Sequence, residues 1–91
     1  MTKEFGGRFY LLHGGVSMRK RHIKLNPQQA KEFVTTSSKC NFDIDVFYNR
    51  VIIDAKSMLG VLGLDFTKTL TVQYQGYDSN FEQMIDKFAV A

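Results

Sequence analysis

The stretch that decides the fold lies in the middle of the chain, at residues 54–64, which read DAKSMLGVLGL. Strand-like alternation precedes and follows it, so the periodicity of the sequence changes here. Ser57 is a favoured N-cap residue, and Gly63 or the residues just after it can end a helix. The apolar positions between them are Met58, Leu59, Val61 and Leu62. The stretch therefore predicts a short helix capped by Ser57.

Three segments around this helix alternate between apolar and polar residues, as strands do. In residues 18–25 the alternation places Arg21, Ile23 and Leu25 on one face. The other face of that strand is basic and consists of Lys20, His22 and Lys24. Residues 42–53 have the pattern of a hairpin around the turn Asn49-Arg50, because Asn tolerates a positive φ. Residues 69–75 alternate again, and Gly76 ends them.

Two longer helices complete the pattern. Asn26 is a strong N-cap, Pro27 suits the first helical position, and Gln29 completes a capping box. The positions at helical spacing after this start are Pro27, Ala30, Phe33, Val34 and Ser37. Ser79 and Glu82 have the spacing of a second capping box. The stripe of the final helix consists of Phe81, Met84, Ile85 and Phe88. The order βαββαβα predicts an α+β domain with three helices on one face of a four-stranded sheet.

The length of 91 residues predicts one domain, and a 44% hydrophobic content is enough for a core. Residues 1–15 carry two glycine pairs and are interpreted as an N-terminal extension, so the domain spans residues 16–91. The apolar run at residues 9–12 is too short for a signal peptide. No run approaches the roughly 20 residues that span a bilayer. Cys40 is the one cysteine, which excludes an internal disulfide and fits a cytoplasmic protein.

The basic character is confined to the first quarter of the chain. Residues 1–24 have a net charge of +5 and residues 25–91 a net charge of −2. Such a cluster can attract acidic partners. Because no nucleic-acid-binding motif accompanies it, a solvated strand is the favoured interpretation and nucleic acid is not the expected partner.

The residue pattern does not predict catalysis, a metal site or a cofactor. His13 and His22 have no Cys, Asp or Glu at metal-ligand spacing. Asp43 and Asp45 share one strand face, which is more typical of a solvated surface than of a cation site. No Ser-His-Asp or Cys-His arrangement is present in the pattern, so the chain is not expected to be an enzyme.

Residues 51–64, and Asp54-Ala55-Lys56-Ser57-Met58-Leu59-Gly60 above all, resemble HPr, the phosphocarrier family of the bacterial sugar phosphotransferase system. The resemblance runs without gaps from about Leu25 to the C-terminus. It implies an open-faced sandwich whose antiparallel strands follow the order 1-4-2-3. It also implies that Ser57 corresponds to the regulatory serine of that family.

The resemblance breaks at the start of the first long helix. The family carries Gly-Leu-His-x-Arg-Pro-Ala there, whereas this chain has Leu25-Asn26-Pro27-Gln28-Gln29-Ala30. Asn26 takes the place of the phosphorylated histidine and Gln28 that of the supporting arginine. An amide does not accept a phosphoryl group as imidazole does.

The pattern is therefore similar to the Crh branch of the family, which lacks the histidine and keeps the serine. That similarity implies phosphorylation of Ser57 by HPr kinase and docking of a LacI-type catabolite regulator on Met58 and Leu59. Two alternatives stay open. The first is a working phosphocarrier that uses His13 or His22 with the enzymes of the phosphotransferase system. The second is an interaction module that uses the basic strand or the extension. The oligomeric state is not predicted.

Overall fold

The computed structural model describes residues 18–90. Its strands are β1 (Arg19–Ile23), β2 (Ile44–Tyr48), β3 (Val51–Asp54) and β4 (Leu70–Tyr74), and its helices are α1 (Pro27–Ser38), α2 (Met58–Leu62) and α3 (Ser79–Phe88). The predicted order βαββαβα is confirmed. The predicted extension at residues 1–15, together with His13, lies outside the described residues.

The four strands form one antiparallel sheet in the order β1-β4-β2-β3. This is the strand order that the family resemblance implied. The register aligns Val72 with Arg21 on one side and with Val46 on the other, and Val46 with Ile53. Two of these residues show where the helices lie. Arg21 bonds to α3, and Ile53 contacts α2, so both helices cover this face.

Helix α1 lies against both other helices and completes the layer. The core between the layers is formed by apolar side chains from all three helices and from β1, β2 and β4, and the partly buried Ile53 of β3 packs against it. From the sheet it includes Ile23, Ile44, Val46, Leu70 and Val72, and from the helices Phe33, Val61, Phe81 and Ile85, all fully buried. Tyr74 joins them, with its ring edge-on to that of Phe81 at a centroid distance of 4.9 Å. The predicted α+β open-faced sandwich is thus confirmed.

Capping and turn residues close to each element fix most of the ends of the helices and strands. Asn26 caps α1 in a complete capping box, and Pro27 takes the first helical position. Pro27 is exposed, however, whereas the later positions of the predicted stripe are buried. Asn49 has a φ of 54°, as the predicted turn between β2 and β3 requires.

The predicted capping box of α3 is wrong. Asp78 is the N-cap, and its Oδ1 accepts a hydrogen bond from the Phe81 N–H at 2.9 Å. Ser79 is already the first helical residue. Glu82 does not return to the cap because its carboxylate is held by Tyr74 and Arg21. No helix within residues 18–90 is both long enough and apolar enough to cross a membrane.

Candidate functional site

The start of α1 uses its polar groups for capping. The Gln29 N–H donates to Asn26 Oδ1 at 2.8 Å, and the Asn26 N–H donates to Gln29 Oε1 at 2.9 Å. The side-chain oxygen of Asn26 therefore stabilises the helix, and the amide offers no nucleophile. Gln28 lies next to it with an exposed side chain. This end of α1 has the properties of a helix cap.

Ser57 is the N-cap of α2, as predicted. Unlike Asn26, it is not part of a reciprocal capping box. Its Oγ accepts one hydrogen bond, from the Gly60 N–H at 3.2 Å. The backbone before it is held by a tight turn, in which the Ser57 N–H donates to the Asp54 carbonyl at 2.9 Å and the Lys56 N–H donates to Asp54 Oδ1 at 2.9 Å. The side chain is exposed at the surface.

Gly60 allows α2 to lie very close to β3. A Cβ at this position would be 2.7 Å from Cγ2 of Ile53, closer than side chains tolerate. The helix therefore buries Val61 against the sheet and directs its first two residues outward. Met58 is 38% exposed and Leu59 is 89% exposed. These are the two residues that the resemblance assigned to partner docking.

Other apolar side chains are exposed on the adjacent strand. Val51 is 46% exposed and Ile52 is 52% exposed, although both belong to β3. We call the surface formed by β3 and α2 the α2–β3 corner. It combines one exposed hydroxyl, that of Ser57, with the exposed apolar residues Val51, Met58 and Leu59, whereas Ile52 lies on the opposite, open face of the sheet.

The basic strand does not form a single basic patch. Arg19 and Arg21 point to the helix side, where Glu82 and Asp86 of α3 neutralise them. Nη1 of Arg21 lies 3.3 Å from Glu82 Oε1, its Nη2 lies 2.6 Å from Asp86 Oδ1, and Nη1 of Arg19 lies 3.6 Å from Glu82 Oε2. The exposed cations on the open face of β1 are Lys20 and, beyond its end, Lys24. The alternation predicted the two faces, but not the carboxylates that meet one of them.

Glu82 is the centre of this network. Its side chain is 14% exposed, and its Oε2 accepts a hydrogen bond from Tyr74 Oη at 2.7 Å. Burial and the bond to Glu82 raise the pKa of Tyr74 to about 12. The hydrogen bond to Asp86 raises the pKa of Arg21 above its ordinary value. Sequence reasoning missed the network, although the spacing of Glu82 and Asp86 on one helix face was a signal for it.

The other candidate residues are not brought together. His22 is exposed on the open face of the sheet, opposite Thr71 of β4. Asp43 is exposed and Asp45 is half-buried. Cys40 is buried, and burial raises the pKa of its thiol, which makes it a poor nucleophile. Among residues 18–90, no group of three or more His, Cys, Asp or Glu side chains could hold a metal ion.

No protein-family model matches the chain, and no curated protein matches it.

Proposed function

We propose that this chain is an HPr-like regulatory protein of the bacterial sugar phosphotransferase system. It is phosphorylated on Ser57 and does not carry phosphate on a histidine. It is a cytoplasmic protein without enzymatic activity of its own, and it acts by binding other proteins. The observation that supports this most directly is the position of Ser57, an exposed hydroxyl at the start of α2 beside the exposed side chains of Met58 and Leu59.

The chemistry required of Ser57 is simple. Within a kinase, its Oγ attacks the γ-phosphorus of ATP, the new O–P bond replaces the bond to ADP, and the hydroxyl proton passes to a base of the kinase. The phosphoserine adds about −1.5 to −2 charges. Since that charge lies beside Met58 and Leu59, it changes which protein surfaces can dock on the α2–β3 corner.

Intact-mass analysis after incubation with HPr kinase and ATP tests the modification. We expect one phosphate adduct of about 80 Da on the wild type and none on Ser57→Ala. Ser79→Ala is a matched control, because Ser79 is also exposed at a helix start. It should be modified like the wild type. A wild type that stays unmodified, or an adduct that persists on Ser57→Ala, contradicts the proposal.

Titration of the phosphorylated chain with a LacI-type catabolite regulator tests the docking surface. Leu59→Ser should weaken binding at least about tenfold, because an exposed apolar anchor at an interface contributes at least about 1.4 kcal/mol. Tyr77→Ser provides the control, since Tyr77 is exposed outside the α2–β3 corner. Equal effects of the two substitutions would argue against docking on α2.

A working phosphocarrier is the second candidate, because the imidazole of His22 is exposed. It requires acid-labile phosphate on the chain after incubation with phosphoenolpyruvate and the first enzyme of the phosphotransferase system. We expect no label on the wild type. A label that is lost in His22→Ala but not in Asn26→Ala would favour this candidate over the regulatory protein.

A further inference from the structure

The outer edge of β3 carries backbone groups that the sheet does not use. β3 is the last strand in the order β1-β4-β2-β3. Next to it, the Ala55 N–H donates to the Ile44 carbonyl at 2.9 Å. Because hydrogen-bonded and non-bonded pairs alternate in an antiparallel ladder, the aligned pair Val46–Ile53 is hydrogen-bonded and the pair Phe47–Ile52 is not. The N–H and C=O groups of Ile52 therefore point away from β2.

The opposite edge of the sheet differs, because the chain itself pairs with it. The Lys24 N–H donates to the Phe88 carbonyl at 3.0 Å, and the Val90 N–H donates to the His22 carbonyl at 2.9 Å. Ala89 thereby forms a bridge with Ile23. No such segment of residues 18–90 pairs with the outer edge of β3, and Ile52 is half exposed there. An apolar strand edge of this kind is a template for pairing with another strand.

The sequence of this edge is complementary to itself. Ile52 and Asp54 alternate along it, so they share the open face, on which Ile52 lies opposite Phe47, and Arg50 is the turn residue that directly precedes β3. Arg50 and Asp54 are both exposed. An antiparallel copy aligned on Ile52 places Arg50 opposite the partner's Asp54, and the reverse pair forms by symmetry. On the helix face, the same register places Val51 opposite the partner's Ile53.

We propose that two copies of this chain associate by antiparallel pairing of β3 with β3, about a two-fold axis at Ile52. The N–H and C=O groups of Ile52 exchange two hydrogen bonds across the axis, and two Arg50–Asp54 ion pairs flank them. The result is a continuous eight-stranded sheet with α2 and its copy on the same face. A second copy fits better than an unrelated strand, because this register pairs opposite charges at both ends and apolar residues between them. The proposal does not depend on phosphorylation of Ser57.

Sedimentation equilibrium of the full chain, from about 10 μM to about 1 mM, tests the association. We expect a monomer–dimer equilibrium. Arg50→Asp should raise the dissociation constant of the dimer about tenfold, because it places like charges opposite each other twice. The exchange variant, Arg50→Asp with Asp54→Arg, should bind more tightly than either single variant, since it restores both ion pairs with reversed polarity. A chain that stays monomeric throughout this range overturns the proposal.

Two further variants locate the interface. Ile52→Lys should abolish the dimer, because it brings two ammonium groups together at the axis. His22→Lys adds the same charge to the open face of the opposite edge strand and should leave the dimer unchanged. Equal effects of the two lysines, or an exchange variant that is no tighter than the single variants, overturn the proposal.

Hydrogen exchange of the Ile52 amide distinguishes a second copy from another occupant of the edge. We expect protection of this amide at high protein concentration and rapid exchange on dilution. Protection that does not depend on concentration would show that residues 1–17 of the same chain cover the edge, and would also overturn the proposal. Thermal unfolding of each variant shows whether its monomer is folded.

Discussion

Two regions of this protein treat their polar and apolar groups in opposite ways. On the side formed by β1, the start of α1 and α3, polar side chains have partners within the fold. The side chains of Asn26 and Gln29 accept from each other's backbone N–H groups, and Arg21 bonds to Glu82 and Asp86. At the α2–β3 corner, Ser57 makes one capping bond, and apolar side chains are exposed. The first region uses its chemistry to stabilise the fold. The second has an exposed hydroxyl and exposed apolar side chains that other molecules can contact, and the proposed function rests on these groups.

Among the substitutions that compare the two regions, the one at Glu82 should have the largest effect on the free energy of unfolding. Glu82→Ala is expected to lower the free energy of unfolding by about 2–3 kcal/mol, because it leaves the buried Tyr74 hydroxyl without its acceptor and removes one of the two carboxylates that bond to Arg21. Asp86→Ala should cost less than about 1 kcal/mol, since Asp86 is exposed. Urea unfolding measures both. Equal costs would show that Glu82 is not the centre of the network.

Removal of either helix cap should lower the free energy of unfolding by a smaller amount, and the two caps should differ from each other. Asn26→Ala is expected to cost about 1 kcal/mol, because it removes one half of a reciprocal capping box on a long helix. Ser57→Ala should cost about 0.5 kcal/mol, at the lower end for a cap, because one hydrogen bond of 3.2 Å is lost. Asn26→Ser controls for the cap and should recover most of the loss. A Ser57→Ala variant less stable than Asn26→Ala would reverse the comparison.

A smaller effect, confined to alkaline pH, follows from Tyr74. Its pKa is about 12 in the folded chain, above the ordinary value of about 10 for an unfolded tyrosine. The unfolded chain loses this proton first, so the stability contributed by neutral Tyr74 is complete below about pH 10 and is lost as the pH rises through about 12. The difference in stability between the wild type and Tyr74→Phe should therefore shrink between about pH 10 and about pH 12. A constant difference would contradict the raised pKa.

The smallest effect is expected at the α2–β3 corner. Leu59→Ser should change the free energy of unfolding by less than about 0.5 kcal/mol, because Leu59 packs against almost nothing in the fold. Leu70→Ser, at a fully buried position of β4, is the matched comparison and should cost several times more. A large cost at Leu59 would mean that the corner supports the fold and is less available to a partner.

The outcome at the two predicted capping boxes shows how far local sequence signals reach. The two bonds of the capping box join residues three positions apart, Asn26 and Gln29, so spacing alone was sufficient to predict that cap. Ser79 and Glu82 have the same spacing, but Glu82 bonds to Tyr74 and Arg21, eight and 61 residues away in the chain. Asp78 takes the capping role instead. Local spacing therefore does not reveal whether a side chain will cap its own helix or bond to a residue of a strand that packs nearby in the fold.

Some features of the candidate site could likewise be predicted from local sequence, and others could not. The sequence was sufficient to place Ser57 at a helix start. It did not show that Leu59 would be exposed while Val61 two residues later is buried, since both are apolar and belong to the same short helix. That difference depends on the close approach of Gly60 to Ile53, a contact between two elements.

The sequence by itself determined the order of the elements, the caps of α1 and α2 and the turn at Asn49, because these depend on bonds between residues a few positions apart. Only the tertiary structure decided which basic residues of β1 are neutralised, which apolar residues of β3 and α2 remain exposed, and which edge of the sheet is left open. Those features arise from contacts between residues far apart in the chain, and the periodicity of one segment contains no information about its distant neighbours.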